Sequence, residues 1–428
     1  MSTEGIAAQI ERVSLEIERQ RDVLRKLESS KSLLQQQLNA LRDPIARLPL
    51  EISSEIFMQC LPESDYPRGC VQPKVHLAPL LFLNISHAWT NIALANPSLW
   101  ASIHIVLPRA CTGSAELLEM WFRRARSRPL QIFLEGICDP LVASTILQRS
   151  PQFQSLTITL PSADDSQDQS DDEDELSEFF GGIDPKMELS SLKVLELNGR
   201  QDVQWYWLPF RQLLCRCPKL VELGLQDIVF IQDSDDEAAL EPLVLPRLRI
   251  LTYFEGFYAL DWISAPRLKT LNLLAEAISK RSFNSFLRRS SPPLRRLWLH
   301  EALHFDPSFG ESMALIPTLA QLECLSPSTL FAKQLFDFLV HNPHLLPNLR
   351  ILKVDSIIRY PNEPSPLDVL DALAHVLSAR RTMLKSVRLT IHDPYQNGPS
   401  HVGLPDDPLA LFREYLDDGM GIYIGTET

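Results

Sequence analysis

Between residues 6 and 41 the apolar positions return alternately every third and fourth residue. With Ile10, Ile17, Leu24, Lys31 and Leu38 at heptad position a, position d falls on Ile6, Val13, Gln20, Leu27, Leu34 and Leu41. Nine of these eleven positions are apolar, and no proline interrupts them. The spacing predicts one continuous helix of about 54 Å, with a narrow seam of the kind that pairs helices. Gln20 and Lys31 interrupt the seam and are suited to fixing register or oligomer state. Such a seam serves either a coiled coil or a helix folded back along its own chain. Asp43-Pro44 ends the pattern.

From 45 to 107 the period stays helical. Leu48, Ile52, Ile56 and Phe57, then Cys60 and Leu61, are expected on one face, with Pro49 in a first turn that tolerates it. Pro62, Pro67, Gly69 and Pro73 mark a loop over 62–76, helical spacing resumes at Leu77–Asn96, and Pro97 stops it. Val75 to Pro108 holds no Asp, Glu, Lys or Arg, but Pro79, Asn84, His87, Asn91, Asn96 and Pro97 break it. Buried helices are expected there rather than a membrane span.

Beyond this point the pattern changes to L-x-x-L-x-L. It appears at Leu192/Leu195/Leu197, Leu220/Leu223/Leu225, Leu268/Leu271/Leu273, Leu294/Leu297/Leu299, Leu349/Leu352/Val354 and Leu384/Val387/Leu389. Weaker copies are Phe153/Leu156/Ile158, Leu248/Leu251/Tyr253 and Leu319/Leu322/Cys324. Successive steps from Leu192 run 28, 28, 20, 26, 25, 30 and 35 residues, too uneven for a regular array but suited to irregular leucine-rich repeats. Each unit then reads as a short strand with inward leucines and a return helix or loop. Six copies carry proline two residues before the first leucine (Pro218, Pro246, Pro266, Pro292, Pro317, Pro347), expected to cap the incoming helix without needing a ladder donor. The alternative is scattered α/β segments that happen to be leucine-rich.

Composition changes this picture only locally. The 428 residues exceed one small core, so two or three structural units are expected. The net charge of −13 is concentrated: residues 164–178 hold nine acids and no base, and residues 233–241 hold five more. Without these fourteen the remainder stands near +1, which suggests no nucleic-acid surface. Both acidic runs contain Ser-Asp-Asp-Glu, beginning at Ser170 and Ser234. They read as solvated insertions, with an acid-directed kinase target as the sharper alternative. The seven cysteines lack the spacing of a disulfide framework or zinc site, and no signal peptide opens the chain. An intracellular protein, cytoplasmic or nuclear, is expected.

Leu48-Pro49-Leu50-Glu51-Ile52-Ser53-Ser54-Glu55-Ile56-Phe57, followed by Ile85-Ser86-His87-Ala88-Trp89 and Asn96-Pro97-Ser98-Leu99-Trp100, resembles an F-box. With the leading heptads and Trp121-Phe122-Arg123-Arg124 before Pro129-Leu130-Gln131-Ile132, the chain looks like fungal-type F-box proteins with leucine-rich tails. The resemblance implies a small three-helix module docking onto an SKP-family adaptor, and through it a cullin scaffold. Matched positions make Leu48, Pro49, Ile52, Ile56, Phe57, Ile85, Trp89, Pro97, Leu99 and Trp100 the adaptor-binding candidates, with Ile92 completing the module. Ser53 and Ser86 stand where the family often has a bulky apolar residue and a cysteine.

One motif points elsewhere. His300-Glu301-Ala302-Leu303-His304 matches HExxH, in which two histidines on one helix face bind zinc and Glu acts as base. Here it follows a repeat strand, Asp306-Pro307 interrupts its continuation, and Glu323 as third ligand falls in another strand pattern. A loop with Leu303 and Phe305 packed inward is the expected structure. No G-x-S-x-G motif, Gly-rich phosphate loop or other catalytic set appears, and no cofactor is implied.

The expectation is therefore an α+β or α/β solenoid in three parts: a coiled-coil helix (1–43), an F-box (44–107) and an irregular leucine-rich repeat domain (108–428) with an acidic insertion at about 162–180. Between the inward leucines, Glu196, Gly224, Thr252, Asn272, Trp298, Glu323, Lys353 and Arg388 would line an exposed face. Trp298, Asn272, Glu323 and Lys353 are the substrate-binding candidates. The chain reads as a non-catalytic substrate receptor of an SCF-type ubiquitin ligase, able to self-associate through its first helix and with no nucleic-acid or membrane partner. The alternatives are a repeat scaffold dimerising through that helix with no ligase role, and an HExxH zinc peptidase.

Overall fold

The computed structural model describes residues 3–62, 70–107, 113–136, 140–159, 189–199, 204–231, 241–254, 259–274, 279–305, 310, 312–360, 362–392 and 408–425. The chain divides into two compact units, Met1–Ile105 with Glu116–Gln131, and Val106–Ala115 with Ile132–Thr428. Among the described residues no helix is long and apolar enough to cross a membrane. The acidic run at 164–178, both Ser-Asp-Asp-Glu motifs, Cys111, Cys138 and Asp306-Pro307 lie outside the described residues.

In the first unit the heptad segment forms one 40-residue helix, α1 (Thr3–Arg42). It runs unbroken rather than folding back, and its described seam residues are exposed. A short 3-10 turn (Ile45–Arg47) leads into α2 (Leu50–Gln59), which begins after Pro49 as expected. The span 77–96 is not one helix. It contains a 3-10 segment (Leu80–Asn84) and then α3 (His87–Ala95), restarted by Ser86, whose side chain accepts from the Trp89 N–H. Asn96 caps the next turn (Pro97–Trp100) in the same way.

Phe57, Phe82 and Trp89 form the aromatic centre of this unit: the Phe57 ring lies 4.2 Å from Phe82 and 5.0 Å from Trp89. A second centre joins Trp100 to Trp121 at 4.9 Å, with the Arg124 guanidinium 4.4 Å above the Trp100 ring. Trp121 and Arg124 belong to α4 (Ser114–Ala125). Residues 116–131 thus group with the helical unit and not with the leucine-rich segment that follows them in sequence.

The strands are β1 (Ser102–Leu107), β2 (Leu130–Gly136), β3 (Phe153–Thr159), β4 (Val194–Asn198), β5 (Gln204–Tyr206), β6 (Glu222–Gln226), β7 (Val229–Ile231), β8 (Leu243–Val244), β9 (Ile250–Phe254), β10 (Ile263–Ser264), β11 (Thr270–Leu274), β12 (Arg296–His300), β13 (Gln321–Ser328), β14 (Ile351–Ile357), β15 (Ser386–His392) and β16 (Gly421–Gly425). Twelve of them make one sheet in the order β1-β2-β3-β4-β6-β9-β11-β12-β13-β14-β15-β16. From β3 to β16 every neighbouring pair is parallel. The short pairs β5/β7 and β8/β10 are parallel too.

The leucine pattern fixes the register. Leu156, Leu195, Leu223, Leu251, Leu271, Leu297, Leu322, Leu352 and Val387 stand side by side, all at most 1% exposed. A one-residue slip would turn the whole row toward water, so burial holds each strand in place. The returning chain supplies helices whose apolar faces are buried: α5 (Pro140–Leu147), α6 (Trp207–Cys215), α7 (Ala259–Trp262), α8 (Lys280–Ser290), α9 (Thr329–His341) and α10 (Pro366–Ala379); the short α11 (Arg413–Asp417) has no buried residue.

The prolines before the strands are turn residues rather than helix caps. Pro218, Pro246, Pro266, Pro317 and Pro347 each take the second position of a four-residue turn, in which the leading leucine N–H donates to the carbonyl three residues back. Proline suits that position because its ring pre-sets φ and its missing N–H is not required there. Pro292 is the exception, since the Leu294 N–H donates to the Pro292 carbonyl at 2.8 Å.

Candidate functional site

In the first unit the ten adaptor candidates separate by burial. Leu48, Ile52 and Ile85 are 39%, 51% and 47% exposed, and Pro49 is exposed as well. Ile56, Trp89 and Pro97 are half-buried, whereas Phe57, Leu99 and Trp100 are fully inside. Those three are core residues, because a side chain already enclosed on every side has no surface to offer a partner. The expected single apolar face of α2 is also different: Ser53 and Phe57, four residues apart, point inward, and Ile52 points out.

Ser53 has a structural role. Its hydroxyl is buried and donates to the carbonyls of Ile45 and Pro49, both at 3.2 Å, which fastens the turn before α2. Ser86 caps α3 and also reaches Asp43 Oδ2 at 3.4 Å. Leu50, Leu81 and Leu94 are further exposed apolar residues that the motif comparison missed.

In the second unit the positions between the inward leucines form a continuous row. Thr157, Glu196, Gly224, Thr252, Asn272, Trp298, Glu323, Lys353, Arg388 and Tyr423 are register partners in turn across ten strands. The four substrate candidates are consecutive in it. Hydrogen bonds link neighbours along the row: Thr157 Oγ1 donates to Glu196 Oε2 at 3.0 Å, and Asn272 Nδ2 to Thr252 Oγ1 at 3.1 Å. The Lys353 ammonium lies 3.2 Å from Glu323 Oε2, which also accepts from Gln321. Arg388 sits 4.9 Å over the Tyr423 ring and pairs loosely with Asp355.

At the centre of the row the pattern of satisfied groups breaks. Asn272 Oδ1, Trp298 Nε1 and His300 Nε2 are enclosed atoms with no hydrogen-bond partner among the described residues. They stand on adjacent strands, with Asn272 beside Trp298 and Leu274 beside His300. An acceptor, a donor and an imidazole nitrogen on two neighbouring strands are thus left without a bond among the described residues. Such groups cost about 1–3 kcal/mol each when left unmade. Phe254 packs edge-on against His300 at 4.6 Å. Burial pulls the His300 pKa down, against the opposing pull of Glu301 and Glu323.

The HExxH segment has no helical face. His300 ends β12, Glu301 turns in the left-handed region at φ 50°, and His304 is exposed. Phe305 and Ala302 are the residues that pack inward, and Leu303 is only half-buried. Among the described residues no group of three or more His, Cys, Asp or Glu is placed to hold a metal ion. Cys217 and Cys324 are buried free thiols, and desolvation raises the pKa of both, Cys217 to about 12.

The leading ends of the strands also gather charge. Backbone bonds carry the strand starts in register from Lys193 through Val221, Arg249, Lys269, Arg295, Ala320 and Arg350 to Lys385. With the flanking Lys219, Arg247, Arg267 and Arg296, this end of the sheet presents ten exposed bases, none with an ion-pair partner among the described residues. The opposite end of the same strands carries Asp227, Glu301 and Asp355. The near-neutral remainder inferred from composition therefore hides a strong separation of charge.

No protein-family model matches the chain, and no curated protein matches it.

Proposed function

We propose that the protein is a non-catalytic substrate receptor of an SCF-type ubiquitin ligase, with an F-box in its first unit and an irregular leucine-rich repeat solenoid in its second. The observation that carries this reading is the division of labour in the helical unit. Phe57, Trp89 and Trp100 build its core, while Leu48, Leu50, Ile52 and Ile85 are left in water. Exposed apolar side chains grouped on so small a unit mark a partner site, and an SKP-family adaptor is the partner the motif implies. Catalysis then works by proximity: the box tethers a protein held on the sheet and raises the effective concentration of its lysines.

The substrate would bind the row face, where Trp298 supplies the aromatic anchor. The ten-base end of the sheet favours a second substrate surface, suited to an acidic polypeptide. Co-precipitation with an SKP-family adaptor tests the main reading. Ile52→Asp with Ile85→Asp should abolish it while leaving the circular-dichroism spectrum unchanged, because both side chains are exposed. Undiminished capture by that variant, or no capture by the wild type, rejects the ligase role and leaves a scaffold without one.

A further inference from the structure

We infer that α1 binds α1 of a second copy of this chain in antiparallel orientation, in the register that brackets Arg25 and Lys26. Ile10, Val13, Ile17, Leu24, Leu27, Leu34 and Leu38 are between 40% and 64% exposed along one helix of 40 residues. A helix this long owes its stability chiefly to packing of its apolar stripe, and within the chain that stripe is open. Its polar interruptions say which occupant fits.

In a parallel dimer each seam residue meets its own copy. Lys31 would then face Lys31 and Gln20 face Gln20, setting two ammonium groups together in the least hydrated part of the interface. Antiparallel pairing instead sets position a against position d. When paired positions sum to 51, Ile17 meets Leu34, Leu24 meets Leu27, and Val13 meets Leu38. Lys31 meets Gln20, whose amide oxygen can accept from the ammonium. Sliding by one heptad either way breaks this, because Lys31 then meets Val13 or Leu27. The flanking charges agree. Arg21 and Glu28 occupy the same edge position in successive heptads, and in this register Arg21 of each copy lies beside Glu28 of the other. The parallel arrangement would use Glu16 with Arg21 and leave Glu28 beside Val23. Arg21 and Gln20 now bond to Glu18 and Glu16 of their own helix, exposed contacts that exchange readily.

The inference is independent of the ligase reading, since neither Arg21 nor Glu28 belongs to the box. Sedimentation equilibrium of the full-length chain should give a dimer. Arg21→Glu and Glu28→Arg should each weaken it by roughly three- to tenfold, because two like-charge contacts replace two attractive ones. Mixing the two variants should restore the dimer as a heterodimer, in which every such contact is again Glu against Arg. Changes within each helix are the same before and after mixing, so the recovery reads the contact between chains. A monomer at tens of micromolar, a trimer, or a silent Glu28→Arg with no recovery on mixing would overturn the assignment.

Discussion

α1 and the large sheet are built from the same material, leucine and isoleucine at regular spacing, and treat it in opposite ways. In the sheet Leu195, Leu223, Leu271, Leu297 and Leu352 are at most 1% exposed, each covered by its neighbours and the returning chain. In α1 Leu24, Leu27 and Leu34 are at least 55% exposed. A period-2 pattern recurring along the chain closes on its own next copy, whereas a heptad pattern on one helix has no second helix to meet. Regular apolar spacing therefore specifies a surface that must be covered, and the rest of the chain decides whether the cover is internal.

The sharpest way to break this contrast is to truncate one leucine in each region. Leu297→Ala should destabilise the sheet by about 2–5 kcal/mol, since a void opens where nothing can collapse easily. Leu27→Ala, at a protein concentration too low for association, should leave the melting temperature nearly unchanged. Equal effects in thermal unfolding would erase the distinction.

The next largest effect concerns a charge placed inside. Arg380 is 1% exposed and donates to the carbonyls of Leu339, Asn342 and Leu345, at 3.2, 2.7 and 3.0 Å. These lie at and beyond the end of α9, where orphan carbonyls need donors. Arg380→Met should cost about 3 kcal/mol in chemical denaturation, because shape is kept but the carbonyls lose their donors. A neutral result would mean that water replaces the guanidinium.

A smaller effect comes from the capping box of α10, in which Ser365 and Asp368 satisfy each other's backbone N–H. Ser365→Ala should cost about 1 kcal/mol. The hydrogen bonds from Ser365 hold the Asp368 carboxyl below its ordinary pKa. That contribution is present above the unfolded pKa of about 3.9 and is lost as pH falls through the lower folded value. The gap between wild type and variant in urea titrations should therefore be smaller at pH 3 than at pH 6.

The smallest effect is at His300, whose folded pKa is lowered by burial. The unfolded chain binds the proton more readily, so stability should begin to fall below about pH 6.5 and stop falling once the folded imidazole also charges. His300→Phe should remove that slope from melting curves recorded between pH 7.5 and 5.

Register was the most legible property of the chain. L-x-x-L-x-L leaves one choice of inward side, so the row from Glu196 to Arg388 can be written from spacing alone. The helical unit was less legible, because Ile52 and Phe57 look alike in hydropathy and only the aromatic contacts of Phe57 with Phe82 and Trp89 decide which turns in. Ser53 read as a departure and proved to be a buried hydrogen-bond donor. The basic end of the sheet could not be seen at all, since Lys193, Arg249 and Lys385 are unremarkable until parallel pairing brings them level. Asn272, Trp298 and His300 were legible as positions but not as unsatisfied groups, which depend on what fails to approach them.

The sheet counts strands and ignores residues. Leu248 and Leu268 are 20 residues apart and Leu349 and Leu384 are 35 apart, yet both steps advance the ladder by neighbouring strands. Loop-closure entropy grows only logarithmically, so nearly doubling a return loop costs about 0.6 kcal/mol. The scaffold is accordingly length-polymorphic: insertions between strands are almost free, while a single residue gained or lost inside one is ruinous. A lineage with this architecture can lengthen its surface loops by trial and keep its foldability, and an engineer could graft peptides between β14 and β15 on the same terms.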